Sequence, residues 1–162
     1  MTNMFSCLKS LGVFIFNRPA ESDEDETRVW NSRYTILVID DDPSFLSVLR
    51  PILLDQGFNV LVSSSGAKGL NMLQYAPKGI HVVLLDYNMP SFDGGDTLQY
   101  LRQLSPAVKI VALTGVDHRL LPQTFRAGVD SILTKPLRNS ELVQTIRKVL
   151  QAASPGSEPV PA

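Results

Sequence analysis

Cysteine, long apolar runs and any excess of charge are what this sequence has least of. Its 162 residues include one cysteine, Cys7, which excludes an internal disulfide and fits a reducing compartment. No apolar run approaches the ~20 residues needed to span a bilayer. The N-terminal stretch is a poor secretion signal, because Lys9 interrupts its apolar segment and no basic residue precedes it. A soluble cytoplasmic protein is therefore expected. The formal net charge of −1 supplies no basic surface, so no nucleic-acid partner is expected. The two histidines, His81 and His118, have no partner at metal-ligand spacing, and no Cys/His zinc pattern occurs. Charged residues make up only 19%, but apolar residues reach 44%, enough to bury a core in one domain of ordinary size.

The two ends differ from the middle. Residues 1–33 read as an N-terminal extension. Met4 to Phe16 is mostly apolar, and Glu21 to Glu26 is nearly all acid, a run that repels itself and reads as a solvated linker. On a helix, Met4, Cys7, Leu8, Leu11, Phe14 and Ile15 would share one face. That face could meet a partner or a membrane surface, although one lysine is a weak match to anionic lipid. Residues 152–162, with Pro155, Pro159 and Pro161, read as a disordered tail. Residues 34–151 form the expected domain, and no internal repeat is present.

Within that domain, short aliphatic runs occur at Thr35–Ile39, Asn59–Val62, His81–Leu85, Val108–Leu113 and Ser131–Leu133. Stretches of helical period separate them. Phe45, Leu46, Leu49, Ile52 and Leu53 form the first apolar face. Leu70, Met72 and Leu73 follow, then Leu98, Leu101 and Leu104, then Leu120, Leu121 and Phe125. Asn139 or Ser140 caps a last helix with the stripe Leu142, Val143, Ile146, Val149 and Leu150. Pro51 and Pro122 fall inside predicted helices and predict a kink or an early end at each. Apolar strands each followed by a helix indicate an α/β fold, a parallel sheet covered on both faces. Five such units suit an open doubly wound sheet and are too few for an eight-unit barrel.

Ligands of such sheets bind beyond the carboxyl ends of the strands. Those ends carry Asp40-Asp41-Asp42, Asp86, Thr114-Gly115 and Thr134-Lys135-Pro136. Crowded carboxylates repel one another unless a cation sits among them, and hard oxygen ligands suit Mg²⁺. Lys135 and the Thr114 hydroxyl can then contact an anion that the metal also holds, with Gly115 leaving room for its approach. A carboxylate in line with a metal-bound phosphoryl group is a competent nucleophile. The cluster reads as a site of phosphoryl transfer to an aspartate. Asp42 and Asp93 read instead as turn or helix-start acids, Lys68 and Lys109 as solvated, and His81 as a packed or edge residue. His118, just past Thr114, lies near enough to influence phosphate hydrolysis.

The chain resembles a receiver domain of the two-component response regulators. The matching elements are Ile36-Leu-Val-Ile-Asp-Asp-Asp-Pro43, Val83-Leu-Leu-Asp-Tyr-Asn-Met-Pro-Ser-Phe-Asp-Gly94, Ile110-Val-Ala-Leu-Thr-Gly115 and Leu133-Thr-Lys-Pro136. The resemblance implies a five-stranded (βα)5 flavodoxin-like sheet of order 2-1-3-4-5. It implies Asp86 as phosphoacceptor, and Mg²⁺ held directly by Asp41, Asp86 and the Asn88 backbone carbonyl, with Asp40 acting through a metal-bound water. Thr114 would bond a phosphoryl oxygen and move on phosphorylation, Lys135 would pair with the phosphate, and Lys135–Pro136 would be cis. At Ile132 the sequence departs from the Tyr or Phe that many receivers carry. That substitutes an aliphatic side chain in the usual aromatic relay.

The function implied is that of a stand-alone receiver, since only about a dozen residues follow the last helix. A histidine kinase or histidine phosphotransfer protein would be the donor, and a downstream protein the target. The switching face would span the fourth helix, fifth strand and fifth helix, from His118 to Ile146. Such a protein is a phosphoacceptor, not an enzyme beyond its own phosphorylation and dephosphorylation. A Mg-dependent aspartyl-phosphate phosphatase of the haloacid-dehalogenase kind would place a second acid where Asn88 stands. A flavin carrier would need a hydroxyl- and glycine-rich phosphate loop where three aspartates stand.

Overall fold

In the computed structural model, residue 31 and residues 33–76, 79–90 and 94–153 are described. The apolar segment Met4–Phe16, the acidic run, Asp93 and residues 154–162 of the expected tail lie outside them, whereas Ala152 and Ala153, expected in that tail, continue the last helix. Five strands, β1 (Thr35–Ile39), β2 (Asn59–Ser63), β3 (Val82–Asp86), β4 (Lys109–Thr114) and β5 (Ser131–Thr134), form one parallel sheet of order β2-β1-β3-β4-β5. Helices α1 (Pro43–Asp55), α2 (Gly66–Tyr75), α3 (Gly94–Leu104), α4 (Gln123–Gly128) and α5 (Asn139–Ala153) connect and cover it.

The period-2 alternation of each central strand splits the core in two. Ile36 and Val38 of β1, Leu84 of β3 and Val111 and Leu113 of β4 face α1 and α5, meeting Leu46, Leu49, Leu53, Leu142, Ile146 and Val149. Leu37, Ile39, Val83, Leu85 and Ile110 face the other side, meeting Leu73, Leu98, Leu101 and Phe125. Both faces of β3 are therefore apolar, and every residue of that strand is buried. The edge strand β2 needs apolar residues on one side only, and its exposure alternates.

Local chemistry sets the helix ends. Asp42 caps α1 by accepting from the Ser44 N–H at 2.8 Å, with Pro43 just inside the first turn. Asp42 is thus the helix-start acid expected. Pro51 does not end α1, which runs to Asp55. It lies on the exposed face, as does Ser47 one turn earlier, so water can reach the carbonyl it leaves unpaired. Pro122 does interrupt its helix. His118–Leu120 forms a 3-10 turn, and α4 starts only at Gln123. Leu120, expected on the buried face, is consequently 77% exposed. Asn139 begins α5 instead of capping it, and the Leu142 N–H bonds the Arg138 carbonyl at 3.0 Å. Met72 and Leu104, also expected inside, are exposed. On α2 the buried positions are Gly66, Gly69 and Leu73, and at Gly69 the helix backbone approaches the Ile39 side chain so closely that a Cβ would overlap it.

At the opposite end of the sheet from the aspartates, Asp130 ties three elements together. Its carboxylate accepts from Arg102 Nη2 at 2.7 Å, Lys109 Nζ at 3.1 Å and the Ile110 N–H at 2.9 Å. Arg102 also donates from Nε to the Gly128 carbonyl and from Nη1 to that of Val108. Lys109, expected to be solvated, is thus an ion-pair partner. Lys68 is exposed. Burial works to raise the Asp130 carboxyl pKa, but the Ile110, Arg102 and Lys109 bonds outweigh it and hold it below its ordinary value. A folded-state pKa below the unfolded one stabilises the fold above the unfolded carboxyl pKa, and that gain is lost as pH falls through the folded value. Asp130→Asn should therefore cost about 2 kcal/mol at pH 7, the scale of hydrogen bonds to a charged group. In urea titrations the gap from the parent should close below about pH 4. A gap of equal size at pH 7 and pH 3 would show that charge is not its source.

Candidate functional site

Three strand ends bring the predicted residues together. As β1 ends, the Asp40 N–H still bonds the Ser63 carbonyl at 3.1 Å, which turns its side chain over the sheet edge at 1% exposure. Asp40 Oδ1 accepts from the Asp42 N–H at 2.9 Å and Oδ2 from Lys135 Nζ at 2.7 Å. Asp86 closes the central strand β3 and is buried, its Oδ1 accepting from Lys135 Nζ at 3.0 Å. One carboxylate oxygen from each of Asp40, Asp41 and Asp86 lies within 4.8 Å of the others, and Asp41 is the exposed member.

Lys135 follows β5, where its N–H donates to the Thr114 carbonyl at 2.7 Å and its bond to Pro136 is cis, as expected. From there its side chain crosses the ends of β4 and β3 to reach β1. Burial disfavours its ammonium, but the hydrogen bonds to Asp40 and Asp86 outweigh this and raise its pKa. For Asp86, burial pushes the carboxyl pKa up and the charges of Asp40 and Asp41 push the same way. Lys135 pulls against them, and the net direction is upward. Three carboxylates against one ammonium leave the cluster short of positive charge. Its donors are all hard oxygens, so the residues fit a divalent cation of the Mg²⁺ type.

Thr114 and Ile132 stand differently. Thr114 is fully buried at the end of β4, and its hydroxyl is engaged within its own loop. It donates to the Val116 carbonyl at 3.2 Å and accepts from the Val116 N–H at 3.1 Å. Ile132 is half-buried against the cluster that contains Leu121 and Phe125. Asn88 is exposed just past the end of β3. His118 begins the 3-10 turn with its side chain 58% exposed and Nδ1 3.6 Å from Asp117. His81 is a packed residue: its Nδ1 accepts from the Thr35 N–H at 3.1 Å, and its ring meets that of Tyr34 edge-on.

Two aromatic contacts were not legible as part of the site. The Phe45 ring, assigned to the core face of α1, lies under the Lys135 ammonium at 4.2 Å from its centroid. The Tyr87 ring, directly after Asp86, meets Phe125 of α4 edge-on at 4.8 Å. The only sequence hint for Phe45 is its place one residue ahead of the buried Leu46, in the helical turn nearest the strand ends.

A family profile described as the response regulator receiver domain matches residues 36–147. The transcriptional regulatory protein CpxR of Escherichia coli strain K12 is 37% identical over 118 residues, 72% of this chain and 49% of CpxR. The chain thus spans about half the length of that relative. A receiver domain structure from Clostridium thermocellum superposes with a TM-score of 0.69 at 29% identity, covering 74% of this chain and 95% of that one. A CheY-like receiver domain from Methanospirillum hungatei JF-1 gives 0.68 at 26%, with the same coverage. With the parallel sheet of order 2-1-3-4-5 and the aspartates gathered at its carboxyl edge, this chain belongs to the response regulator receiver domain family.

Proposed function

We propose that this receiver domain accepts a phosphoryl group on Asp86 from a histidine kinase or histidine phosphotransfer protein, and through it switches binding to a downstream protein. The observation that carries this reading is the Asp86 carboxylate itself. It ends the central strand, lies among Asp40 and Asp41, and has Lys135 at 3.0 Å. An Asp86 oxygen attacks the phosphorus as the P–N bond of the donor phosphohistidine breaks, its electron pair returning to the imidazole. Asp41, Asp86 and the Asn88 carbonyl would hold Mg²⁺, with Asp40 acting through a bound water. Bound there, the ion supplies positive charge to the transferring phosphoryl oxygens. Both Asp40 oxygens already accept a hydrogen bond, which supports the indirect role for Asp40.

Lys135 exchanges a carboxylate for a phosphoryl oxygen, and Thr114 redirects its hydroxyl from the Val116 carbonyl to another. That redirection pulls on the loop holding the exposed Leu120, and so supports an output face of α4, β5 and α5 from His118 to Ile146, with Ile132 as its relay. A net charge of −1 favours protein partners over nucleic acid. The domain would act as a phosphoacceptor, without turnover of a separate substrate.

The test uses acetyl phosphate and Mg²⁺, which should add one acid-stable, base-labile phosphoryl group per chain. Chelation with EDTA should stop the reaction. Asp41→Ala should weaken Mg²⁺ binding by more than about 100-fold in calorimetry, since an outer-shell partner alone can be worth that much. Labelling that proceeds undiminished in EDTA would sink the reading.

A further inference from the structure

We propose that Phe45 is a positioning residue for phosphoryl transfer, acting through Lys135; this rests on the assignment of Asp86 as acceptor. Lys135 Nζ lies over the Phe45 ring at 4.2 Å from its centroid, within the distance at which the negative face of an aromatic ring attracts a cation. An ammonium has three N–H donors and no acceptor. Two are engaged by Asp40 Oδ2 at 2.7 Å and Asp86 Oδ1 at 3.0 Å. The ring lies against the same ammonium and takes up contact that water would otherwise make. A lysine head on a flexible four-carbon stem is poorly fixed by one partner. Here two carboxylates and a ring hold it between them.

The ring is well placed to do this. Phe45 sits in the first turn of α1, and the residue that caps that helix, Asp42, donates its N–H to Asp40. The same turn therefore carries the ring and orients the carboxylate that shares the ammonium. Phe45 is half-buried, and with Val48, Leu49, Lys135, Pro136 and Leu137 it lines a groove of about 240 Å³ on the α1 side of the cluster.

The chemistry gives the ring a distinct task. When Asp86 takes a phosphoryl group, Lys135 exchanges a carboxylate oxygen for a phosphoryl oxygen. A hydrogen bond to one oxygen is lost in that exchange. Attraction to a ring face has no such single direction, so the ammonium stays within reach while it changes partners. Misplacement of a charge-stabilising group by about 1 Å can cost about 100-fold in rate.

The experiment uses the full chain with acetyl phosphate and Mg²⁺, comparing Phe45→Leu and Phe45→Tyr. Phe45→Leu keeps an apolar side chain without the ring and should slow labelling at saturating acetyl phosphate about tenfold. Phe45→Tyr, which keeps the ring, should stay within about twofold. Mg²⁺ affinity should be unchanged in both, because the ring contacts the ammonium and not the metal-binding carboxylates. In the unphosphorylated parent, the Lys135 ε-methylene and Nζ resonances should carry a ring-current shift that Phe45→Leu removes and Phe45→Tyr preserves. A Phe45→Leu rate equal to the parent's, or a parallel loss of Mg²⁺ affinity, would overturn the proposal. So would a parent whose Lys135 resonances show no ring-current shift. A parent that shows the shift but takes no phosphoryl group would overturn the acceptor assignment, and this proposal with it, while leaving the contact standing.

Discussion

Replacing Asp86 by asparagine should abolish phosphoryl uptake and, in magnesium-free buffer, should raise the melting temperature. The first effect follows from losing the nucleophile, since a carboxamide oxygen does not form the acyl phosphate. The second follows from the electrostatics of the cluster. Burial first, and then the charges of Asp40 and Asp41, raise the Asp86 carboxyl pKa against the pull of Lys135. The folded state therefore binds a proton more tightly than the unfolded chain does. Stability contributed by that proton is present below the unfolded carboxyl pKa and is lost as pH rises through the folded value. The penalty grows as pH rises through the folded value, and an uncharged side chain removes it. A gain of about 1 kcal/mol, about 4 °C for a domain of this size, is the expected scale. Saturating Mg²⁺ should reverse the order, because ligand at 100 times its dissociation constant stabilises by about 2.7 kcal/mol and the variant binds it less. Melting curves at pH 5 and pH 7.5, with and without Mg²⁺, make the check. A variant less stable than the parent in EDTA at pH 7.5 would show that Asp86 is held by its Lys135 pair and not strained by its neighbours.

The parts of this molecule that were legible in the sequence are those set by periodicity and position along the chain. β1, β3 and β4 are apolar on both faces because helices cover both, so their runs stand out. Residues at a strand's carboxyl end are placed by topology alone, which is why Asp40, Asp41, Asp86 and Lys135 meet as expected. What failed to show depends on contacts between distant residues. Lys109 reads as solvated until Asp130, 21 residues away, folds beside it. Phe45 reads as one more core residue until Lys135 arrives from β5, across two intervening strands. The Thr114 hydroxyl, expected to bond a phosphoryl oxygen, bonds the Val116 backbone within its own loop, a pairing that strand spacing does not show. Leu120 and Met72 match a helical stripe but are exposed: the helix at Leu120 gives way to a 3-10 turn before Pro122, and the buried face of α2 runs through Gly66, Gly69 and Leu73.

Gly94→Ala should both destabilise the domain and slow phosphorylation, although alanine is the better helix former. Gly94 is the first residue of α3 in its assigned range, and its N–H bonds the Tyr87 carbonyl at 3.1 Å. A Cβ there would lie 2.7 Å from the Asp86 carbonyl oxygen, 2.7 Å from Tyr87 Cα and 3.0 Å from the Tyr87 carbonyl oxygen. All three are backbone atoms, so no side chain can rotate away to relieve the overlap. The constraint is space, since Gly57 has the only positive φ among the described residues. Overpacking of this kind costs about 1–3 kcal/mol, against a gain of at most ~1 kcal/mol from helix propensity. A loss near 1 kcal/mol corresponds to a fall of about 4 °C in melting temperature. The backbone that must yield carries Asp86, so the acceptor moves with it and labelling by acetyl phosphate should fall about 10- to 100-fold. Gly79 provides the matched control, because among the described residues its Cβ would meet nothing nearer than Ala76 at 3.6 Å, an ordinary contact. Gly79→Ala should leave the labelling rate unchanged and stability within about 0.5 kcal/mol. Equal melting temperatures and equal rates for the two variants would mean that the loop after Asp86 has slack to give, and that close packing of α3 does not set the acceptor's position.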